Sequence, residues 1–457
     1  MQVPSVLLWP LLHGSQEALK EWKRVLKPGA YLAFSTWRMG KSHNISSLFG
    51  TVMQQMTTRA PPILTPVFRE LNIPMHMSPE EVLANPMMEA WIELHAGADR
   101  EAYTTQARSR LVETSSCKSN SRVVSLGEAL FDCIADQKGK SREEVESWTP
   151  YPGGAPANVA AAMGKLGVPI SFISALGQDD LAEQMLKLLA SRNVDLTAVQ
   201  RNDKPTRDVL VIRDLAGDRE FCGFGVAETT EYADCFIDPE LLPHDMIKEA
   251  GALVTGTLGL AYPTTAAAMQ KAIDIAKTGP CEVLVDVNWR PVFWPDQSTA
   301  PGIIRDFCKR ADILKLSDEE AELLYDIPRK EALKQADKVL EKATEAQGVL
   351  VTAGEAGCSY AFHSSQGSKE VHKGYIPVLS VDVVETTGAG DAFLAGFLFG
   401  LVNAGGLDAL RKDPAKLKHA VEFATACGAF TTTKPGAIDA QPSQQEAEHL
   451  LTLSGRG

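Results

Sequence analysis

From Val123 onward the chain alternates short β-rich runs with longer helical stretches, and no other feature constrains its fold as tightly. The expected strands are Val123–Leu126, Ile170–Ala175, Val209–Arg213, Ala252–Thr255, Val283–Val287, Ile313–Leu316 and Val349–Val351. Helices are expected at Ala155–Leu166, Asp180–Arg192, Thr264–Lys277, Asp318–Tyr325, Lys330–Ala346, Ala389–Val402 and Lys416–Thr431. Runs such as Val283-Leu284-Val285 are apolar on both faces, as strands covered by helices on either side must be. The expected fold class is therefore α/β, a central and mostly parallel sheet with helices on both faces. Two segments, 130–152 and 207–225, break the alternation with charged, glycine-containing hairpin-like sequence and predict a small β lid.

At 457 residues, with 44% apolar and 23% charged residues, the chain can build a large core in one or two domains. A formal net charge of -13 argues against a nucleic-acid partner, while leaving room for a phosphate substrate held by local basic groups and magnesium. The eight cysteines are scattered at 117, 133, 222, 235, 281, 308, 358 and 427. They form no C-x-x-C pair, which favours reduced thiols in a cytoplasmic compartment or a plastid stroma. No run reaches the roughly 20 apolar residues of a membrane helix. The opening VPSVLLWPLL lacks the basic flank of a secretory signal.

The composition changes near residue 120. Residues 1–120 hold eight of the twelve methionines, with 12 basic and 10 acidic residues, whereas the remainder carries 33 basic and 48 acidic residues. The polar stretch 114–121 reads as a linker between 1–113 and a second domain at 122–457. In the first part, Ser15 to Leu26 reads as an amphipathic helix, closed by Lys27-Pro28-Gly29 and followed by a buried strand from Tyr31 to Thr36. The stretch EWKRVLKPGAYLAFSTW resembles the later half of a class I S-adenosylmethionine-dependent methyltransferase. The glycine-rich cofactor turn of that family has no counterpart before residue 27, so an inactive N-terminal α/β fragment is expected.

The sharpest chemical signal is Glu385-Thr386-Thr387-Gly388-Ala389-Gly390-Asp391, entering an apolar helical run. Glycines there let backbone amides converge on an anion, and the helix adds its positive end. An aspartate would repel a phosphate, which makes sense if Asp391 accepts a proton from a hydroxyl beside a transferring phosphoryl group. The competing reading is an aspartate that merely caps the helix. A second signal, Tyr151-Pro152-Gly153-Gly154-Ala155-Pro156-Ala157-Asn158, leads paired glycines into a small-residue helix and offers Asn158 to hydroxyls as donor and acceptor. It could equally be a helix entry packed on a sheet.

In this order the two motifs resemble the signature regions of the ribokinase-like (pfkB) carbohydrate kinases, over about residues 122–450. GEALFD, WTPYPGGAPANVA and DVNWRPVFW are similar to the fructokinase type. The resemblance implies a phosphotransferase that moves the γ-phosphoryl of ATP to a sugar hydroxyl, with fructose as acceptor. It implies Asp391 as catalytic base and Gly388, Ala389 and Gly390 as the anion hole. Sugar contacts are implied at Asp132, Gly153, Gly154, Asn158, Arg207, Asp286, Asn288 and Arg290, and nucleotide contacts at Thr352, Gly354, Gly357 and Thr425. Glu320 would act on Mg2+ through water, although Ser317 and Glu320 also match a helix capping box. Glu385 stands where most members have aspartate beside a monovalent cation, so K+ is a further candidate ligand. A homodimer through the lid is a family habit. Alternative readings are a kinase for 2-keto-3-deoxygluconate or a nucleoside, and a non-catalytic plastid scaffold.

Overall fold

The computed structural model describes residues 122–215, 219–343 and 345–455, so the methyltransferase-like fragment expected at 1–113 and the linker expected at 114–121 lie outside the described residues. Strand β1 (Val123–Leu126) passes through Gly127 to β2 (Leu130–Ala135), which pairs with β3 (Trp148–Gly153). Next come β4 (Ile170–Leu176), β5 (Val194–Asp195), β6 (Val199–Arg201), β7 (Arg207–Arg213) and β8 (Arg219–Phe224). The second half supplies β9 (Ala252–Thr255), β10 (Glu282–Asp286), β11 (Ile313–Ser317) and β12 (Gly348–Thr352). It closes with β13 (Cys358–His363) and β14 (Val371–Ile376).

These strands form two sheets. The large one runs β14-β13-β12-β11-β10-β9-β1-β4-β5, with β6 beside β4. It is parallel up to β12, and β13 and β14 add an antiparallel edge. The double-sided apolar runs behave as their sequence demands. Val283 and Val285 join the core shared with helices Pro263–Ala276 and Ala300–Cys308, while Leu284 joins the core shared with Ala155–Lys165, Ala389–Ala404 and Pro414–Thr431. The segments that broke the alternation pair with each other as a separate four-stranded sheet, β3-β2-β7-β8.

One expected helix is divided. Lys330–Ala346 forms Arg329–Lys334 and Ala336–Lys342, broken at Gln335 (φ -138°, ψ 63°). Apolar Ala332, Ala336, Val339 and Leu340 keep helical spacing straight through the break, and no glycine or proline marks it.

Helices Ala389–Ala404 and Pro414–Thr431 pack closely against each other. A Cβ at Gly396 would lie 2.8 Å from Ala424 Cα, and one at Gly400 would lie 2.6 Å from Ala420 Cβ. Small residues on both helices allow this approach, which fixes the first turn of Ala389–Ala404 beneath the cleft. Among the described residues no helix is long and apolar enough to cross a membrane.

Candidate active site

The glycine turn before Ala389 closes only because its residues are small. Gly388 has φ 79°, and a Cβ on it would fall 2.8 Å from Ala437 Cα. Gly388 is the N-cap and supplies no side chain to the first turn of this 16-residue helix, where Ala389 N donates to Thr386 O at 3.2 Å. Asp391 stands in that first turn but caps nothing there. Its Oδ2 accepts a 2.7 Å hydrogen bond from Asn158 Nδ2 instead. The helix-cap reading of Asp391 therefore fails on geometry.

Asn158 is delivered by the second glycine motif. Gly154 (φ 97°) is the N-cap of Ala155–Lys165, and a Cβ there would meet Glu128 O at 2.7 Å. The helix thus jams against the turn after β1, and Asn158 reaches across to the Asp391 helix. Burial pushes the Asp391 carboxyl above the usual aspartate range, against the hydrogen bond from Asn158 and the charges of Lys315 and Arg290. A carboxylate so raised is a better proton acceptor than one in water. Burial likewise lifts Glu128, beneath this helix entry, to about 8, despite the 3.2 Å hydrogen bond its Oε1 accepts from Ala155 N.

Lys315 is the residue that sequence reading missed. It sits on β11, buried, with Nζ 2.9 Å from Asp286 Oδ2 on β10 and 3.3 Å from the place a Cβ would take on Gly390. Burial acts to discharge it, but Asp286, Glu320 and Asp391 together hold its proton more firmly than usual. Asp286 is pushed up to about 6 by burial, even with Lys315 beside it. The signal was present: one lysine inside the apolar run Ile313–Leu316 has to be paired if that strand is buried. Asp286 therefore serves Lys315 rather than an open cleft.

Glu320 performs the capping role its sequence allowed. Its Oε2 accepts from Ser317 N at 2.7 Å, and Ser317 Oγ accepts from Glu320 N at 3.1 Å. Its Oε1 accepts from Trp289 N at 2.6 Å, which pins the loop after β10. In that loop Asn288 holds φ 41°, uncommon for a residue with a side chain, and Arg290 is exposed. Among the described residues no three His, Cys, Asp or Glu side chains are grouped to hold a metal ion.

On the lid side, Asp132 lies on β2, and a Cβ on Gly153 of β3 would come within 3.7 Å of its Oδ2. Burial raises the Asp132 carboxyl, opposed by the charges of Arg219 and Arg290. Arg219, on β8, is a second residue that sequence reading missed.

Three further assignments change. Arg207 does not offer its charge to a sugar: it is buried, with Nε and Nη2 donating to Asp234 at 2.8 Å each. Thr425 donates to Val421 O in its own helix at 2.8 Å and lies against Cys358, so its hydroxyl is not turned to a nucleotide. Glu385 is engaged at both oxygens. Oε1 accepts from Arg219 and Thr387 at 2.7 Å, and Oε2 accepts from Gly436 N at 3.1 Å. Thr352, Gly354 and Gly357 lie on the turn that follows β12, with Gly354 exposed at φ 49° and Gly357 buried at φ 87°.

A raised aspartate over a helix N-terminus, a glycine turn and a buried lysine make a site for moving a phosphoryl group to a hydroxyl, set in a ribokinase-like fold. The chain belongs to the pfkB family of carbohydrate kinases, which it matches over residues 120–444. It is similar to a probable fructokinase-3 of Arabidopsis thaliana, 33% identical over 338 residues covering 72% of this chain and 91% of that one. Among solved structures it resembles a fructokinase with bound ATP from Xylella fastidiosa, at 25% identity and a TM-score of 0.64. That likeness covers 74% of this chain and 99% of the other. A double-mutant fructokinase from Vibrio cholerae O395 with fructose, ADP and a potassium ion is 26% identical, with a TM-score of 0.60, covering 72% and 98% respectively.

Proposed function

We propose that residues 122–457 are an ATP-dependent fructokinase and that residues 1–113 take no part in its chemistry. The primary hydroxyl of fructose attacks the γ-phosphorus of ATP in line, and its proton passes to Asp391. The bond from phosphorus to the bridging oxygen breaks, leaving ADP and fructose 6-phosphate. The amides of Gly388, Ala389 and Gly390 stabilise the charge developing on the phosphoryl oxygens, with Lys315 beside them. Mg2+, when bound, would neutralise charge on the nucleotide phosphates, and Glu320, whose oxygens already accept from Ser317 N and Trp289 N, would meet it only through water. Asp132, Gly153, Gly154, Asn158, Asn288 and Arg290 surround the sugar, and the turn from Thr352 to Gly357 receives the nucleotide. The lid sheet is the natural surface for a second copy of the chain. The free, mostly buried cysteines suit a reducing compartment such as cytosol or plastid stroma.

The observation that carries this reading is the 2.7 Å contact between Asn158 and Asp391, which joins both glycine motifs at one carboxylate. The test is Mg-ATP-dependent phosphorylation of a panel holding fructose, 2-keto-3-deoxygluconate and a nucleoside. Fructose should be turned over best, and Asp391→Asn should lower kcat by about 10²–10⁴-fold with little change in sugar binding. Preference for another panel member would reassign the acceptor. Near-normal turnover in the variant would remove Asp391 as base.

A further inference from the structure

Glu385 stands where the family resemblance implies a monovalent cation, and its surroundings do not fit one. The side chain is one methylene longer than aspartate, reaching about 1.5 Å further. That reach brings Oε1 to 2.7 Å from Arg219 Nη1. Thr387 Oγ1 and Gly436 N donate to the same carboxylate, and its pKa lies below the usual glutamate value, with Thr387, Gly436 and Arg219 together outweighing burial. A guanidinium is permanently charged and weakly hydrated, and it repels a second cation from the carboxylate it holds.

Arg219 comes from a different sheet. It begins β8 at the edge of the lid, while Glu385 opens the anion-hole turn, three residues before Gly388. Its charge also acts on Asp132, on the sugar side of the same lid. One side chain thus stands between the sugar-facing carboxylate and the phosphate-facing turn.

We propose that Arg219 replaces the monovalent cation at Glu385, so that the lid itself supplies the positive charge that orders the anion-hole turn. Turnover then needs no K+. Arg219 is a positioning residue, acting on the phosphates through Glu385. This rests on the kinase reading above, and one arm of its test does not.

The test compares wild type, Arg219→Gln and Arg219→Lys in potassium chloride and in tetramethylammonium chloride at matched ionic strength. Wild type should phosphorylate fructose equally in both salts. Arg219→Gln should lose kcat/KM by about fivefold in tetramethylammonium, the upper range for a partly exposed ion pair. K+ should restore part of that loss, and Arg219→Lys should remain indifferent to the cation. In the second arm, thermal melting with ADP requires no sugar turnover. K+ should raise the Tm of Arg219→Gln and leave that of wild type unchanged. Activation of wild type by K+, or a K+-dependent rise in its Tm, would overturn the proposal. So would full activity of Arg219→Gln in tetramethylammonium, or a folded Arg219→Gln that K+ neither activates nor stabilises. If no sugar is phosphorylated but the melting arm behaves as expected, the kinase reading falls and the Arg219 assignment stands.

Discussion

Among the described residues two buried ion pairs, Arg207–Asp234 and Lys315–Asp286, are built differently, and the difference separates architecture from chemistry. Arg207 meets Asp234 through two nitrogens, and the rings of Tyr232, Tyr262, Phe293 and Phe224 lie 4.6, 5.0, 5.4 and 6.0 Å from the guanidinium carbon. Lys315 meets Asp286 through one contact, and Asp286 Oδ1 has no hydrogen-bond partner among the described residues. Arg207 also keeps one nitrogen, Nη1, without an oxygen partner, but aromatic faces surround it. Around Lys315 the neighbours are carboxylates, Asp391 and Glu320. A bidentate pair wrapped in rings fixes where β7 starts. A pair with one contact, set beside a raised aspartate, tunes that aspartate and leaves donors for a substrate.

The comparison is broken most forcefully at Arg207. Arg207→Met leaves Asp234 charged and buried, which should cost about 3–5 kcal/mol of stability. Urea denaturation would show the loss as a lower midpoint with an unchanged slope. Turnover per folded molecule should hardly move at a temperature where the variant stays folded. Unchanged stability with a raised KM for fructose would instead return Arg207 to the sugar site.

Lys315→Met tests the other pair and should split the two readouts in the opposite direction. Removing one fixed positive group beside developing phosphoryl charge should lower kcat by about 10²-fold. The stability cost should be smaller than at Arg207, because the stranded Asp286 can take a proton. Burial pushes its pKa up to about 6 even with Lys315 holding it down, and losing that charge raises it further, so the stranded carboxyl takes up a proton near pH 7. A stability loss matching that of Arg207→Met, with kcat intact, would make Lys315 structural as well.

The same contrast explains what the sequence made legible. The parallel sheet could be read because Val283, Leu284 and Val285 must all be buried, and only a strand covered on both faces does that. Asp391 and Asn158 could be read because glycines at positive φ flank each, and Gly388 and Gly154 leave no room for a Cβ. The lid hairpins announced themselves only as interruptions, since half-exposed strands such as Arg219–Phe224 lack a continuous apolar run. Arg207, Lys315 and Arg219 were misjudged or missed for one reason. A basic side chain's partner lies 27, 29 or 166 positions away, and only the fold brings the two together. Thr425 failed differently: its helix satisfies the hydroxyl locally, so position beside a cleft did not make it a ligand.

The finest distinction is between a charge and a neutral dipole acting on the same base. Asp391 works unprotonated, so activity is lost as pH falls through its pKa, and any group that lowers that pKa extends activity toward acid. Asn158 opposes the upward push of burial with its hydrogen bond, ahead of the charges of Lys315 and Arg290. Removing that donor in Asn158→Ala should therefore raise the pKa and move the acid limb of the kcat profile to higher pH, by about half to one unit. The plateau above the limb should fall less than in Lys315→Met, because no phosphate-facing charge has been removed. Profiles of kcat against pH for the two variants separate the roles: Asn158→Ala shifts the limb, Lys315→Met mainly lowers the plateau. A limb that stays in place in Asn158→Ala would mean that the 2.7 Å contact orients Asp391 without setting its basicity.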